Sequence, residues 1–470
     1  MSGPELTFSR AVEPFDYLMF RGEANPRSRS SLASVSLLDR NPGIERLRST
    51  FDRASRNVLR LRQRIVAPAL PITGAEWIVD PDFDLGYHVR VVRATGTGGL
   101  RELLDLTTAL LSTPLDTARP LWEARLVEDV HVDGACAALV MKVSHSLTDG
   151  EGALQLLTQL FDFERDADRG PMPPVPVPED RSPTDLVRTA LARGTGRRMA
   201  RAGHSVGVAA RGVAGAVRDP GGTVEGARAM VGSLRRVVAD PPAPPSPLLQ
   251  RRGLGRRLDT TSVPLDGLRD AARSAGCSVN DAYISAVCGA LRLYHEHLGA
   301  PVDALPLAMP ISRRSDEDAA GGNRFGATRF AAPIALTDPI ERMRRVREIA
   351  RAGADEPAMD AFDVVAPLIS HLPTVVLGTF ASTATGTDIQ ASNVRGYPSP
   401  PFVAGAEITE TYWFGPLPGV AMMVVLMSQA GTCFIGVHSD TASVTDGALF
   451  CRCLEEGFAE VLAVAAATSR

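Results

Sequence analysis

The chain is 470 residues long, more than one ordinary hydrophobic core accommodates, so two domains are expected. Its composition, 44% hydrophobic and 22% charged, is that of a globular protein, and a net charge of −4 gives no sign of the concentrated basic face that nucleic-acid binding needs. The positive charge is nearly all arginine; the one lysine is Lys142, three residues before His145.

Six cysteines (Cys136, Cys277, Cys288, Cys433, Cys451 and Cys453) form no CxxC pair and no disulfide-framework spacing, the pattern of reduced thiols in a cytoplasmic protein. The first residues, Met-Ser-Gly-Pro-Glu, have neither the basic nor the apolar region of a signal peptide. Of the longest apolar runs, Val420–Met427 is strand-length and Asp363–Phe380 is broken by His371 and Pro373. Neither spans a bilayer, so membrane contact is expected to be peripheral.

Residues 1–170 read as a first α/β block. Ile44, Leu47, Phe51, Ala54 and Val58 recur at three- and four-residue steps and predict one apolar helical face. Ala137–Val143 is a short apolar run that predicts a buried strand, and Leu154, Leu157 and Phe161 predict a helix within Gly152–Phe163. His145 therefore falls at a strand-to-helix junction. Residues 171–248 read as a linker. Proline density in Gly170–Pro178 and Pro241–Pro247 forbids helix or central strand, while residues 182–238, rich in Arg, Ala and Gly, predict one or two helices.

Residues 249–470 repeat the α/β mixture. Ser278 is a plausible N-cap for a helix carrying Val279, Tyr283, Val287, Leu291 and Tyr294 on one face. Ile340, Met343, Val346 and Ile349 mark another helix. Ala421–Met427 and Thr432–Val437 predict paired strands turning at Gln429-Ala430-Gly431.

The chemistry-bearing stretch is Ser144-His145-Ser146-Leu147-Thr148-Asp149-Gly150. A neutral imidazole is the side chain best suited to take a proton near neutral pH. A carboxylate four residues on orders the turn, and Gly150 permits backbone angles closed to other residues. The pattern alone is modest; its setting and further matches carry more. Asp16 with Glu23, Pro114-Leu115 with Arg119-Pro120-Leu121-Trp122, and Ser144–Gly150 follow one another. Then come Val279-Asn280-Asp281, Met309-Pro310-Ile311-Ser312-Arg313 with Gly322-Asn323-Arg324-Phe325, Ser392-Asn393-Val394-Arg395-Gly396, Gly415-Pro416 and Gly436-Val437-His438-Ser439-Asp440.

In that order these segments resemble the bacterial wax ester synthase/diacylglycerol acyltransferase family, within the HHxxxDG superfamily that includes condensation domains. Two positions depart from the family pattern: Ser144 stands for the first motif histidine, and Arg395 for the proline of SNVPGP.

The resemblance implies two CoA-dependent acyltransferase-like α/β domains joined by a helical linker. It implies an O-acyltransferase moving a long-chain acyl group from acyl-CoA to diacylglycerol or a long-chain alcohol, with CoA as substrate rather than cofactor. His145 is then the general base and Asn280 a donor to the tetrahedral oxyanion. Asp149 pairs with an arginine, for which Arg313 is the candidate. Gly150, Ser144, Trp122, Glu23, Ser392 and Asn393 are candidates for shaping the substrate cleft.

Each candidate has a plainer reading: core packing for Trp122, a helix start for Asn280, a turn for Ser392 and Asn393, a solvated carboxylate for Glu23. His88 and His438 read as structural, and His295 with His297 lacks a third ligand, so no metal is assigned. The expected location is cytoplasmic with peripheral contact to a membrane or lipid droplet. Two other readings stand: a different acyl acceptor, or a lipid-binding protein weakened in catalysis.

Overall fold

The computed structural model describes residues 8–70, 73–147, 159–192, 241–312, 325–354 and 387–468. In chain order the first half holds α1 (Pro14–Gly22), β1 (Ser31–Leu38), α2 (Ile44–Asn57), β2 (Gln63–Val66) and β3 (Glu76–Val79). It continues with the one-turn α3 (Leu85–His88), β4 (Val89–Arg93), α4 (Leu100–Ser112), β5 (Trp122–Val132), β6 (Ala135–Ser144) and α5 (Pro183–Ala192). The second half holds β7 (Arg256–Pro264), α6 (Leu265–Ser274), α7 (Val279–His297), β8 (Ala304–Ser312), β9 (Phe325–Pro333) and α8 (Pro339–Ala354). Last come β10 (Ile389–Arg395), β11 (Phe402–Val403), β12 (Ala406–Phe414), β13 (Met422–Gln429), β14 (Thr432–Asp440) and α9 (Gly447–Thr468).

Among the described residues these strands build two six-stranded mixed sheets, ordered β11-β12-β1-β6-β5-β4 and β7-β14-β13-β10-β8-β9, beside the small β2-β3 hairpin. The two sheets are not two consecutive stretches of chain. After β10 the chain leaves the second sheet, lays β12 against β1 in the first with β11 on its outer edge, and returns as β13. In this crossing, β14 passes close behind β12. A side chain at Gly436 would collide with the carbonyl oxygen of Trp413, so only glycine fits there.

Sequence periodicity explains the packing. Leu47, Phe51 and Ala54 are the fully buried face of α2, as their spacing predicts. Phe51 stacks on Trp122 with ring centroids 5.5 Å apart. Burying a side chain of this size contributes roughly 1.5–3 kcal/mol. The central run of β6 is buried from Ala137 to Met141, as expected of a strand covered on both faces. Ser278 caps α7 in a full capping box with Asp281. In α8, Met343 and Val346 are completely buried, as the periodicity predicts. The strands β13 and β14 pair antiparallel around Ala430 and Gly431, both at positive φ, the geometry of a two-residue hairpin turn.

Alternation along β13 divides the interior. Met422, Val424 and Leu426 pack with the helices of the second half, while Met423, Val425 and Met427 join a cluster with Leu147, Trp122 and Leu139 of the first. That second cluster is the apolar seam between the sheets.

The proline-rich segments are held largely by side chains, since their prolines lack amide donors. On α2, Arg53 donates to the carbonyls of Arg169, Gly170 and Pro171, and Arg56 to that of Pro173. Ser246 anchors the other segment, its amide donating to Asp388 at 2.6 Å and its hydroxyl lying 2.7 Å from His295 Nε2. Helix α5 is the described part of the expected helical connector, and its Leu186 packs on Val66 and Ile78. One expectation is corrected: Phe161–Phe163 are not helical. There Asp162 exchanges both backbone hydrogen bonds with Phe402, which leaves it no helical ladder. Leu154 and Leu157 lie outside the described residues. No described helix is long and apolar enough to cross a membrane.

Candidate active site

His145 follows directly on β6. Its amide donates to the carbonyl of Ser30 at 3.0 Å, extending the β1–β6 ladder one step beyond the Ser31–Ser144 pair. Leu147 then donates to the Ser144 carbonyl at 3.0 Å, closing a tight turn around His145 and Ser146. Alternation puts the Cβ atoms of Ser30 and His145 on the face of Leu32 and Val143, toward the apolar seam. The Ser30 hydroxyl is buried there without a hydrogen-bond partner among the described residues. No motif spacing marked Ser30, because only strand register places it opposite His145.

Ser144, at the position of the first motif histidine, is completely buried and points to the other face. Its hydroxyl lies 2.9 Å from that of Ser146, a local bond that helps shape the turn. Asp149, Gly150 and Arg313 lie outside the described residues, and so does the proposed Asp149–Arg313 pair.

Glu23 is fully buried, which overturns its reading as a solvated carboxylate. It accepts from the Ser31 hydroxyl at 3.1 and 3.2 Å and from the Leu115 amide at 3.1 Å, and it faces Arg29 at 3.4 Å. Burial raises its pKa above the usual carboxylate range, against the pull of the Leu115 amide, Lys142 and Arg29.

Lys142 lies on the same side of the sheet. Its ammonium donates to the carbonyls of Leu110, at 3.1 Å, and Thr113, and Arg29 donates to that of Ser112 at 2.5 Å. These carbonyls lie at the C-terminal end of α4, so two cations cap the negative end of that helix. Burial pushes the Lys142 pKa down to about 8, and Glu23 opposes the shift.

Trp122 is completely buried, its ring between Phe51 and His88 and its indole N–H donating to the Leu61 carbonyl at 2.8 Å. Asn280 and Asn393 meet: the Asn393 amide donates to Asn280 Oδ1 at 3.4 Å, and Asn280 Nδ2 lies 3.2 Å from the Met309 sulfur. Ser392 stands on the opposite face of β10 from Asn393 by strand alternation. The candidates thus form two groups. Glu23, Ser144 and His145 share the β1–β6 end, joined through Ser30 and Ser31, while Asn280 and Asn393 share the N-terminus of α7.

Among the remaining histidines, His88 Nδ1 donates to the Trp122 carbonyl, and burial pushes its pKa down to about 4. His295 is buried against Ser246 and the Leu291 carbonyl, whereas His297 is exposed, so the two do not face a common point.

Residues 1–283 match the wax ester synthase/diacylglycerol acyltransferase catalytic domain, and residues 321–461 match the WS/DGAT C-terminal domain. A Mycobacterium tuberculosis protein provisionally named a diacylglycerol O-acyltransferase is 46% identical over 468 residues, 99% of this chain and 94% of the relative. Another of that provisional name from the same organism is 31% identical over 376 residues, covering 78% and 80% of the two chains.

The fold is similar to that of the wax ester synthase/diacylglycerol acyltransferase from Marinobacter aquaeolei VT8, with a TM-score of 0.64, 20% identity and coverage of 97% and 100%. It also resembles the first condensation domain of the CDA synthetase, with a TM-score of 0.56, 13% identity and coverage of 97% and 96%. The α/β architecture is therefore that of the acyltransferase and condensation-domain group, and the chain belongs to the wax ester synthase/diacylglycerol acyltransferase family of acyltransferases.

Proposed function

We propose that this protein transfers a long-chain acyl group from acyl-CoA to the hydroxyl of diacylglycerol or of a long-chain alcohol, with His145 as general base. The acceptor oxygen attacks the thioester carbonyl while His145 takes the hydroxyl proton. The tetrahedral oxyanion forms, collapses, and expels CoA as a thiol that receives the proton back from His145. Both substrates are held together, so proximity supplies much of the rate and no acyl-enzyme is needed. CoA enters and leaves as substrate, and the reaction uses no further cofactor.

Two donors are proposed for the oxyanion. Asn280 Nδ2 now rests on a thioether, a weak acceptor that a charged oxygen would outcompete. The Ser30 hydroxyl is buried on the seam face beside His145, without a partner among the described residues. Asp149 is assigned to ordering the His145 turn through an arginine, with Arg313 as its partner. Ser392 and Gly150 are assigned to the cleft wall, where a lipid acceptor has to approach.

The observation that carries this reading is the position of His145 in the chain. It ends a rigid central strand, its backbone is pinned to Ser30, and Leu147 two residues on is buried in the apolar seam. A proton acceptor held there adjoins an apolar region suited to acyl chains.

The test is thiol release from palmitoyl-CoA with diacylglycerol or hexadecanol, with products separated by thin-layer chromatography. His145→Ala is expected to abolish release while leaving the circular dichroism unchanged. Near-wild-type turnover by that variant would sink the assignment. Contact with a membrane or lipid droplet is proposed as peripheral, and co-flotation with triolein droplets checks it.

A further inference from the structure

A small cavity of about 50 Å³ is lined among others by Arg29, Ser31, Arg256, Leu417 and His438. It shares Arg29 and Ser31 with the Glu23 cluster, while His145 is not part of its lining. Ser31 stands on the opposite face of β1 from Ser30, so the cavity lies behind the strand whose front faces the apolar seam.

Two features of its lining call for a ligand. The first is His438, completely buried on β14. Its Nδ1 donates to the Gly415 carbonyl at 2.7 Å, which fixes the tautomer and leaves Nε2 as a bare acceptor. Nε2 has no hydrogen-bond partner among the described residues. Burial holds this imidazole neutral, with its pKa pushed down to about 4, so the proton of any bond to Nε2 has to come from the ligand.

The second feature is charge. Arg256 spends Nη1 on Asp440 and on the carbonyls of Gly253 and Gly255, and Arg29 spends Nε and Nη1 on Glu23 and Ser112. The hydrogen bonds seen among the described residues use Nε and Nη1 of Arg29 and Nη1 of Arg256. Burial lowers the Arg256 pKa, Asp440 opposes this, and the nearby Arg27 and Arg29 add to it, so guanidinium groups repel one another here. Glu23 and Asp440 each offset one arginine. Lys142, close to Glu23, and Arg27 leave a surplus of positive charge.

We propose that this cavity is a binding site for a phosphate group carrying an ionisable oxygen, either free phosphate or a phosphomonoester, with Arg29 and Arg256 holding the anionic oxygens and His438 Nε2 accepting the P–OH proton. The size agrees, since a water-sized group needs about 10–15 Å³ and one phosphate presents four oxygens. Phosphate monoesters, with a second pKa near 6, carry the required proton close to neutral pH. Sulfate and phosphodiesters do not. The site therefore selects monoesters by the proton. The inference does not depend on the role of His145.

The experiment is titration calorimetry of the full-length protein at pH 6.5 with inorganic phosphate and with sulfate. Phosphate is expected to bind about tenfold tighter, the effect of one hydrogen bond. His438→Asn keeps a donor for the Gly415 carbonyl but lacks Nε2, and it is expected to bind the two anions equally. Arg29→Met is expected to weaken both, and it keeps the site testable should the His438 variant fail to fold.

Three further probes identify the source. Tighter binding of CoA than of dephospho-CoA assigns the monoester to CoA. Binding to phosphatidate vesicles over phosphatidylcholine vesicles assigns it to a lipid headgroup. Binding of inorganic phosphate alone leaves a free-phosphate site. Equal affinity of the wild type for phosphate and sulfate, or binding of neither, overturns the proposal.

Discussion

The amide of His145 donates to the carbonyl of Ser30 at 3.0 Å, so the two residues close the last rung of the β1–β6 ladder. The Ser30 hydroxyl is left buried, with no hydrogen-bond partner among the described residues, on the side of that rung facing the apolar seam. An unsatisfied buried hydroxyl costs about 1–3 kcal/mol unless something completes it. A reacting oxygen beside His145 would do so.

Ser30→Ala is accordingly expected to lower kcat about tenfold while changing KM less, since a donor used mainly in the transition state affects the chemical step. Stability should be unchanged or slightly raised, because an orphan hydroxyl is removed. Ser30→Thr should retain most of the rate. Steady-state kinetics with palmitoyl-CoA check this, and an unchanged kcat in Ser30→Ala would remove Ser30 from the mechanism.

Glu23 faces both Arg29 and Lys142 in the interior behind Ser144. Glu23→Leu leaves both cations and the Leu115 amide without it. A loss of about 3–5 kcal/mol is expected, the usual effect of breaking a buried ion pair from one side. Glu23→Gln, which still accepts hydrogen bonds, should lose less. Urea unfolding at neutral pH measures both, and a Glu23→Leu variant as stable as wild type would mean that the cluster is not coupled to folding.

The pH dependence of stability follows from His88 and His438, both pushed down to about 4 by burial. Between that value and the ordinary one near 6.5, the unfolded chain binds a proton at each site and the folded chain does not. Their contribution is therefore fully present above about pH 6.5 and is lost as pH falls toward 4, at up to about 1.4 kcal/mol per pH unit for each histidine. His88→Phe should reduce the slope of stability against pH in that window by up to about one proton. Denaturant melts at pH 4.5, 5.5 and 6.5 read it, and an undiminished slope contradicts the assignment.

Lys142 offers a chemical probe, since it is the one lysine in the chain. Its ammonium is enclosed by the end of α4, so an amine-reactive ester should leave it unmodified in the folded protein. In denaturant it should react completely. Peptide mapping by mass spectrometry distinguishes the two states, and rapid labelling of the native protein would show that the cap opens.

The candidate site was legible in part. His145 stood out because a polar, proton-accepting residue ended an apolar strand-length run, and periodicity reports burial directly. The helix-start reading of Asn280 and its functional reading rest on the same segment, because Ser278 caps α7 while Asn280 turns to Asn393 and Met309. Glu23 was legible as a motif residue but not as a buried one. Its neighbours Ser31, Leu115 and Lys142 come from three separate segments, and no local pattern announces such a meeting.

By itself the sequence determined the local elements and their apolar faces: α2 from its three- and four-residue repeat, α7 from its cap, β6 from its apolar run, and the β13–β14 hairpin from its turn. It also determined family membership, through motifs whose order survives although each is short. These are properties of neighbouring residues, so a window of ten or twenty positions contains them.

Tertiary structure alone decided that β12 crosses to the first sheet, that Ser30 faces His145, and that Arg29, Arg256 and His438 enclose one cavity. These depend on strand register and on contacts between residues hundreds of positions apart. Such pairings are selected by the packing of the whole apolar seam, and no single segment of the chain encodes them.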